Sequence, residues 1–294
     1  MARFFVEELP REGSDYALTG ENADHAKVLR LRPGEEVTLC DGKGMDCPCQ
    51  VVDGLTLRVG SPLPCPAEPR ARVTLYLAFP KAEKAEHVIQ KATELGAAEI
   101  VLFPSRYCVS RPDEKSLPKK LARWERIARS AAEQSRRGVI PAVRALDSYG
   151  EAIKEAALVE VPVLFYENEE QLTLREVLSE FNAGVDTSPP QTVGASIARP
   201  QSVGASIARP QSVGASIARP LNADGSPTSD ACPYMHQSTQ VALMTGAEGG
   251  FSEEEILQAR EAGLKICTLG PRILRCETAP LAGLTAVMYA LGEI

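Results

Sequence analysis

The stretch VALMTGAEGGFSEEEILQAREA, residues 241–262, decides the fold class. It opens with an apolar run typical of a buried strand, at 241–244, and a glycine-rich turn over 245–250 leads directly into a helix. Ser252 and Glu255 have the spacing of a capping box, which predicts a helix over 253–262. A strand that passes through a glycine turn into a capped helix is typical of α/β proteins.

Apolar periodicity predicts the same alternation of strands and helices on both sides of this stretch. Gly96 suits the C-terminal cap of one of the helices. We predict strands at 73–79, 99–104, 161–166 and 265–269, and helices at 81–95, 118–137 and 279–291. Strands that alternate with helices form a mostly parallel sheet, and the helices cover both of its faces.

The first 68 residues instead contain short strands separated by turns such as Pro33-Gly34 and Asp53-Gly54. We predict strands at 3–7, 16–19, 36–40, 49–52 and 55–59 and one short helix at 23–31, which together favour a small β-barrel. Four prolines lie between Ser61 and Pro69 and predict a linker. Two domains are therefore expected, at 1–68 and 70–294.

A decapeptide is repeated three times over 191–220, inside a stretch of about 183–232 that is rich in Ser, Pro, Asp and Asn. Three units of this length could hardly bury a core. We therefore expect a flexible surface insertion in the second domain. The sequence leaves open whether the repeats are ordered or functional.

The net charge of −7 is unevenly distributed. Residues 70–150 carry a net charge of +7, while the segments before and after them carry −5 and −9. Residues 105–137 alone hold 10 basic and 4 acidic side chains. A positive field on one face can steer a polyanion such as RNA, although a solvated helix face produces a similar run of charge.

Composition excludes a membrane-spanning protein, because the chain has no run of the roughly 20 apolar residues that a span needs. The N-terminus turns acidic without a signal-peptide core, so we expect a cytoplasmic protein with no membrane partner. Its eight cysteines are then expected to be reduced thiols. Cys40, Cys47, Cys49 and Cys65 lack the paired C-x-x-C spacing of zinc sites, so we predict no metal.

Two segments could carry chemistry. The turn over 245–250 is neither a P-loop nor G-x-G-x-x-G, but its glycines would let a ligand approach the backbone at the carboxyl end of a strand. A plain tight turn is the alternative. The second segment, LGPRILRCETA at 269–279, also runs from a strand end into a helix. Its apolar Ile273 and Leu274 stand among charged residues, which indicates that it threads the interior or lines a pocket.

GAEGGFS at 246–252 and LGPRILRCETA at 269–279 resemble the two signature segments of the bacterial ribosomal RNA uridine-N3 methyltransferases, which belong to the SPOUT superfamily. Further matches are HAKVLR at 25–30, QKATELG at 90–96, Arg123-Trp124, and EQS at 133–135 with Arg137 and Pro141. The resemblance covers nearly the whole chain except 183–232. Ala247 replaces the family's usual proline, and Thr245 an aliphatic residue. The missing proline should loosen the turn slightly without removing a backbone contact.

The resemblance implies an RNA-binding, PUA-like barrel followed by a catalytic domain whose sheet carries a deep trefoil knot. It also implies S-adenosylmethionine as cofactor, a homodimer with the site near the subunit interface, and methylation of a uridine base at N3 in small-subunit ribosomal RNA. The substrate could be ribosomal RNA or the small ribosomal subunit, and the exact nucleotide stays open. Methylation at another position such as a ribose 2′-hydroxyl, or a noncatalytic RNA-binding or assembly factor, is the alternative. The insertion directly precedes the strand that feeds the glycine turn, so it could impair activity.

Carried onto this sequence, the family's cofactor loops are the ends of three strands. Backbone amides there suit the edge of adenine, and leucine and isoleucine side chains can sandwich its faces. The expected cofactor-binding residues are Phe165, Tyr166, Glu167, Leu243, Thr245, Gly246, Glu248, Gly249, Gly250, Leu269, Gly270, Ile273, Leu274 and Arg275.

Methylation at N3 needs stabilisation of an imide anion and an acceptor for its proton. Arg275 and Arg137 are candidates for binding the anion or a phosphate, because a guanidinium offers fixed paired donors. Glu277 and Glu133 are candidates for accepting the proton or orienting these arginines. An ion pair that holds the fold together is the alternative for all four. RNA contacts are expected from His25, Arg30, Arg123, Arg126, Arg129 and Arg136, with a packing role as the alternative for His25.

Overall fold

A computed structural model describes residues 2–182 and 239–294, and the predicted insertion at 183–232 lies outside these ranges. The described strands form two sheets of six strands each. The first sheet uses strands from residues 2–64 and the second uses strands from residues 72–267. The division into two domains near residue 69 stays a prediction.

The N-terminal sheet has the strand order β1-β3-β4-β5-β2, with β6 paired to β4. Its first pair, β1 with β3, is parallel, and the other pairs are antiparallel. The elements are β1 (Ala2–Phe5), β2 (Asp15–Ala17), α1 (Gly20–Leu29), β3 (Glu36–Cys40), β4 (Met45–Asp53), β5 (Thr56–Val59) and β6 (Leu63–Pro64). All five predicted strands and the helix are therefore present.

Helix α1 lies beside the edge strand β1. The side-chain amide of Asn22 donates to the carbonyl of Phe5 at 2.9 Å, and the ring of His25 packs edge-to-face on Phe4 at 5.5 Å between centroids. The described strands β1 and β2 do not pair with each other, so the expected barrel is a sheet with two unpaired edges. The predicted linker also contains the short strand β6, which pairs with β4. Proline is tolerated in this strand because Pro64 lies at an edge, where a residue needs no backbone N–H donor.

The second sheet has the order β12-β10-β11-β7-β8-β9, and every pair in it is parallel. Its strands are β7 (Arg72–Ala78), β8 (Glu99–Phe103), β9 (Ala142–Ala145), β10 (Val161–Phe165), β11 (Gln240–Thr245) and β12 (Lys265–Cys267). Its helices are α2 (Ala82–Glu94), α3 (Leu117–Gln134), α4 (Tyr149–Ala156), α5 (Leu174–Asn182), α6 (Glu253–Glu261) and α7 (Ala279–Ala290). The predicted parallel α/β sheet is confirmed.

Helices cover both faces of this sheet, as predicted. Leu75 and Leu77 of β7 are buried with α2, α3, α5 and α7, whereas Tyr76 and Ala78 are buried with α4 and α6. None of the helices within the described ranges is long and apolar enough to cross a membrane. The apolar stripe of α7 is turned inward, because Leu284, Val287 and Met288 are fully buried.

Local signals account for several helix ends. Ser252 and Glu255 form the predicted capping box at the start of α6, and Gly96 after α2 has a φ of +95°. The helix predicted to reach residue 137 instead ends at Gln134, because Arg136 has a left-handed φ of +63°. Strand β9 and helices α4 and α5 are not among the predicted elements.

Candidate active site

The carboxyl ends of β10, β11 and β12 open into a cavity of about 740 Å³. Residues from three segments line it, namely 165–173, 245–250 and 268–279. The last two contain the signature segments, which lie about twenty residues apart in the sequence. Strands β11 and β12 flank β10, and all three run parallel, so their carboxyl ends lie at the same edge of the sheet and bring the two segments together.

Most of the expected cofactor-binding residues lie in the wall of this cavity. Leu243 does not, because it is fully buried in the core on the α2 and α7 face of β11. Gly249 does not line the cavity either, and its backbone packs against Tyr107 instead. The expected residues that line the cavity are Phe165, Tyr166, Glu167, Thr245, Gly246, Glu248, Gly250, Leu269, Gly270, Ile273, Leu274 and Arg275.

The turn after β11 needs glycine at both ends. The backbone N–H of Gly250 donates to the carbonyl of Ala247 at 3.0 Å, and a Cβ on Gly246 would lie 2.9 Å from the backbone of Gly250. Gly250 has a φ of +65°, and a Cβ there would collide with the carboxylate of Glu167. The two glycines therefore keep the turn narrow and let Glu167 lie against it.

Thr245 places an unsatisfied hydroxyl at the cavity. The residue is 2% exposed and lines the cavity, and its Oγ1 has no hydrogen-bond partner within residues 2–182 and 239–294. A buried hydroxyl without a partner costs about 1–3 kcal/mol, so a ligand that bonds to it would recover that energy. This atom is an independent sign that the cavity receives a polar ligand.

Lys84, in the first turns of α2, joins two of the segments that line the cavity. Its Nζ lies 3.4 Å from Oε1 of Glu248 and 3.0 Å from Oε2 of Glu277. It also donates to Sγ of Cys276 at 3.5 Å. The backbone N–H of Lys81 donates to the same Glu248 oxygen at 3.2 Å. The start of α2 therefore fixes the separation of the two signature segments, a role that local sequence patterns did not indicate.

This contact favours neither the proton-acceptor role nor the arginine-orienting role predicted for Glu277. The hydrogen bond from Lys84 lowers the pKa of the Glu277 carboxyl to about 2. A carboxylate with so low a pKa is a weak proton acceptor at neutral pH. Its partner is Lys84, not an arginine, so Glu277 acts as an anchor for the segment 269–279.

Arg275 and Arg272 are both exposed and line the cavity. Neither forms an ion pair with another described residue of the chain. Unpaired guanidinium groups at the rim of a cavity are available to an anionic ligand. The position of Arg275 agrees with its predicted role in binding the anion or a phosphate.

Arg137 and Glu133 are not brought to the cavity. Arg137 is 3% exposed, and its guanidinium donates to the carboxylate of Glu68 at 2.8 Å and to the carbonyl of Ala97 at 2.6 Å. Glu68 also accepts from the backbone N–H groups of Gly138 at 2.8 Å and Val139 at 2.9 Å. Glu133 pairs with Arg129 at 3.4 Å. The position of both residues agrees with the alternative prediction, an ion pair that holds the fold together, because their charged groups are bonded to residues outside the cavity.

We call the ion pair of Glu68 and Arg137 the joint at Glu68. Arg3 links this joint to the N-terminal sheet. Its guanidinium donates to Asp46 at 2.6 Å and to the carbonyl of Arg137 at 3.3 Å. The backbone N–H of Gly44 donates to the carbonyl of Gly138 at 3.3 Å. These buried polar contacts connect β1 and β4 to the residues that follow α3, so the two sheets are fastened to each other.

Residues 66–188 and 196–288 match the family model described as an RNA methyltransferase domain. The chain belongs to this RNA methyltransferase family. Residues 18–56 match a second model, described as an RNA methyltransferase PUA domain. The fold class expected from the resemblance, a parallel α/β sheet preceded by a PUA-like domain, is confirmed.

Relatives of this RNA methyltransferase match along almost its full length. The ribosomal RNA small subunit methyltransferase E of Bacillus subtilis is 27% identical, over 98% of this chain and 96% of the relative. The enzyme of the same name from Mycobacterium bovis is 29% identical, over 97% of this chain and 90% of the relative. The solved structure of the Neisseria gonorrhoeae enzyme of the same name, bound to S-adenosyl methionine, is 27% identical with a TM-score of 0.68, over 98% and 97%. Lpg2936 from Legionella pneumophila, solved with bound SAM, is 25% identical with a TM-score of 0.70, over 98% and 97%.

The residues expected to contact RNA are distributed over two regions of this RNA methyltransferase. Arg30 and Arg136 are exposed and follow helices, with left-handed φ values of 54° and 63°. Arg123 and Arg126 are exposed on α3, and Arg123 pairs with Glu86 at 2.8 Å. Arg129 instead lies over the ring of Phe5, and His25 has the packing contact with Phe4. RNA binding by these residues stays a prediction.

Proposed function

We propose that this RNA methyltransferase uses S-adenosylmethionine to methylate a uridine base at N3 in small-subunit ribosomal RNA. The observation that carries the proposal is the meeting of the two signature segments in one cavity at the strand ends. Relatives named for the methylation of small-subunit ribosomal RNA match over almost the whole chain. We further propose that the enzyme acts in the cytoplasm, where that substrate lies.

The cavity residues suit S-adenosylmethionine. A volume of about 740 Å³ lies within the usual range of ligand pockets. Leu269 and Leu274 offer apolar side chains for a purine ring, and the narrow glycine turn exposes backbone groups for its edge. The unpaired hydroxyl of Thr245 offers one more hydrogen bond. Glu167 and Glu248 line the cavity and would supply negative charge to a cationic ligand such as the sulfonium.

Bound S-adenosylmethionine supplies an electrophilic methyl group. The chain must position the uracil and stabilise the negative charge that develops on its imide as the N3 proton leaves. Arg275 is the cavity residue suited to this task, because its guanidinium is exposed and unpaired among the described residues. Glu277 stays ionised and bonded to Lys84, so in this proposal the proton passes to water.

We also propose a homodimer in which a second copy of the chain covers the outer face of α7. Leu281, Ala282 and Tyr289 line a groove of about 670 Å³ on that face. Tyr289 is 75% exposed and Ile294 is 61% exposed, so the groove presents apolar surface. The inward stripe of α7 does not serve this purpose, because it is part of the core.

The trefoil knot stays a prediction, and the strand order supports it. Strand β12 pairs on the far side of β10 from β11, although β11 precedes it in the chain. The chain must therefore cross back past β10 to complete the sheet, which is the kind of crossing a knotted topology requires.

The test compares small-subunit ribosomal RNA from cells with and without this protein by nuclease digestion and mass spectrometry. We expect 3-methyluridine to disappear when the protein is absent and to return when purified protein and S-adenosylmethionine are added. Loss of a ribose-methylated nucleoside instead would assign another position. Stabilisation by the cofactor without any transfer would assign a noncatalytic RNA-binding factor.

A further inference from the structure

A tight turn presents an aromatic side chain beside the glycine turn of the cavity. The backbone N–H of Cys108 donates to the carbonyl of Ser105 at 3.3 Å, so Arg106 and Tyr107 occupy the tip of this turn. A Cβ on Gly249 would lie 2.6 Å from Cβ of Tyr107. The absence of a side chain at Gly249 is therefore what lets Tyr107 lie against the turn 245–250.

The turn that carries Tyr107 is held from both sides. The backbone N–H of Arg106 donates to Oε1 of Glu255 at 2.8 Å, and the other oxygen of Glu255 caps α6 through the N–H of Ser252 at 2.9 Å. Ser105 is 2% exposed, and the guanidinium of Arg111 donates to its carbonyl. Tyr107 is thus placed before any ligand arrives, which lowers the entropy cost of binding.

The ring of Tyr107 has a free surface. It is 47% exposed, and within residues 2–182 and 239–294 it has no aromatic partner and its hydroxyl makes no hydrogen bond. Val109, nearby in the sequence, is 72% exposed. This apolar surface lies on a fixed turn beside the cavity, where a ligand can cover it.

The stretch of chain around Tyr107 has a net positive charge, because residues 105–119 hold four cations and two carboxylates, Asp113 and Glu114. The exposed cations Arg106, Arg111, Lys115 and Lys119 belong to the turn and to the start of α3. Arg106 pairs with Glu254, whereas Lys115 and Lys119 form no ion pair with described residues. An exposed ring among cations suits a nucleobase with its phosphates, because the ring stacks on the base and the cations bind the backbone.

We propose that Tyr107 is a stacking platform for a base of the RNA substrate, next to the nucleotide that is methylated. The inference rests on the proposed function only in taking RNA as the substrate. The base is recognised by its π-face, so stacking confers position and affinity but little base preference. Methylation at N3 requires an unpaired uracil, and a platform that holds a neighbouring base would keep the strand open.

The first test compares Tyr107→Ala, Tyr107→Phe and Leu158→Ala in full-length protein with small-subunit RNA. We expect Y107A to raise the KM for RNA roughly tenfold or more, since loss of one stacked base has an effect of that order. Y107F keeps the ring and should behave as wild type. L158A removes another exposed apolar side chain, which is 84% exposed, and should change nothing. The affinity for S-adenosylmethionine should be the same in all four proteins.

The second test uses fluorescence and does not require turnover. The chain has one tryptophan, Trp124, which is 3% exposed, so the tryptophan introduced by Tyr107→Trp dominates the solvent-sensitive emission. We expect RNA to quench this emission and to leave wild-type emission nearly unchanged. An unchanged KM in Y107A, or RNA binding without quenching in Y107W, would overturn the platform. Wild-type protein that binds RNA but transfers no methyl group would overturn the proposed function alone.

Discussion

The Nζ of Lys84 lies 3.0 Å from Oε2 of Glu277, and this contact ties the second signature segment to helix α2. The same ammonium group lies 3.4 Å from Glu248 in the first signature segment. All three side chains are 20–28% exposed, so the contacts are shielded in part from water. One cation thereby holds together the two loops whose meeting creates the cavity.

Replacement of Lys84 by methionine should weaken the binding of S-adenosylmethionine by about fivefold. The expected loss corresponds to roughly 1 kcal/mol, the upper range for a single partly exposed ion pair. Lys84→Arg keeps the charge and should recover most of the affinity. Isothermal titration calorimetry measures all three proteins, and equal affinities in wild type and K84M would show that the loops keep their places without the ion pair.

The stability contributed by Lys84 should depend on pH in a defined window. The hydrogen bond that Lys84 donates lowers the pKa of the Glu277 carboxyl from the ordinary 4.5 to about 2. A carboxyl with a lowered pKa stabilises the folded state fully above its ordinary value, and the contribution is lost as the pH falls toward 2. Urea denaturation measures the free energy of unfolding of wild type and K84M. The difference between the two proteins should be constant from pH 7 to 5 and smaller at pH 3. A difference that closes between pH 7 and 5 would contradict this assignment.

Thr245→Val should stabilise the protein and weaken cofactor binding at the same time. Valine has the shape of threonine but removes the buried hydroxyl that has no partner among the described residues. We expect about 1 kcal/mol of added stability and about tenfold weaker binding of S-adenosylmethionine. The matched control is Thr93→Val, because Thr93 is buried and its hydroxyl donates to Ile89 at 2.7 Å. T93V should lose stability, and its cofactor affinity should not change.

Arg275→Ala should reduce kcat by a factor of about 100 or more, the usual effect of removing a donor that stabilises an anion. Arg272 is the matched control, because it is exposed, unpaired among the described residues and only three positions away on the same segment. R272A should mainly raise the KM for RNA. Both variants should unfold at the wild-type temperature. Full activity in R275A would remove this arginine from the reaction.

Gly283→Ala should damage the cavity from the core side. A Cβ on Gly283 would collide with the ring of Phe165, which lines the cavity. We expect about 1–3 kcal/mol of lost stability from this overpacking, together with weaker cofactor binding. Gly150→Ala is the control, because the nearest atom to its Cβ would be Ser148 Oγ at 4.0 Å. Thermal denaturation with and without S-adenosylmethionine separates the two effects, and a G283A protein with wild-type behaviour would contradict the contact.

Local sequence patterns were sufficient to predict most of the strands and helices of the second sheet. The capping box of Ser252 and Glu255 and the glycine after α2 mark helix ends by hydrogen bonds between near neighbours in the chain. The start of α4 has a similar local signal, since Ser148 accepts from the N–H of Glu151 at 3.2 Å. Strand β9 has only four residues, Ala-Val-Arg-Ala, which is too short for a periodic pattern.

The features of the site that local patterns did not indicate have a different physical origin. Lys84, Glu248 and Glu277 are separated by more than 25 residues from one another, and only the tertiary fold reveals that they meet. Arg137 belongs to a basic run, but the run does not show that this guanidinium is buried against Glu68. Charge along the chain predicts a surface field, whereas burial and pairing depend on which helix packs on which strand.

The joint at Glu68 has a consequence for substrate choice. Breaking it would leave Arg137 buried without a counter-charge, a change that costs about 3–5 kcal/mol. The backbone carbonyl of Arg137 accepts from Arg3 of the N-terminal sheet, so this sheet keeps a constant distance from the cavity. An RNA that touches both must present two points at that same distance. We therefore expect the enzyme to neglect short oligonucleotides that carry only the target uridine.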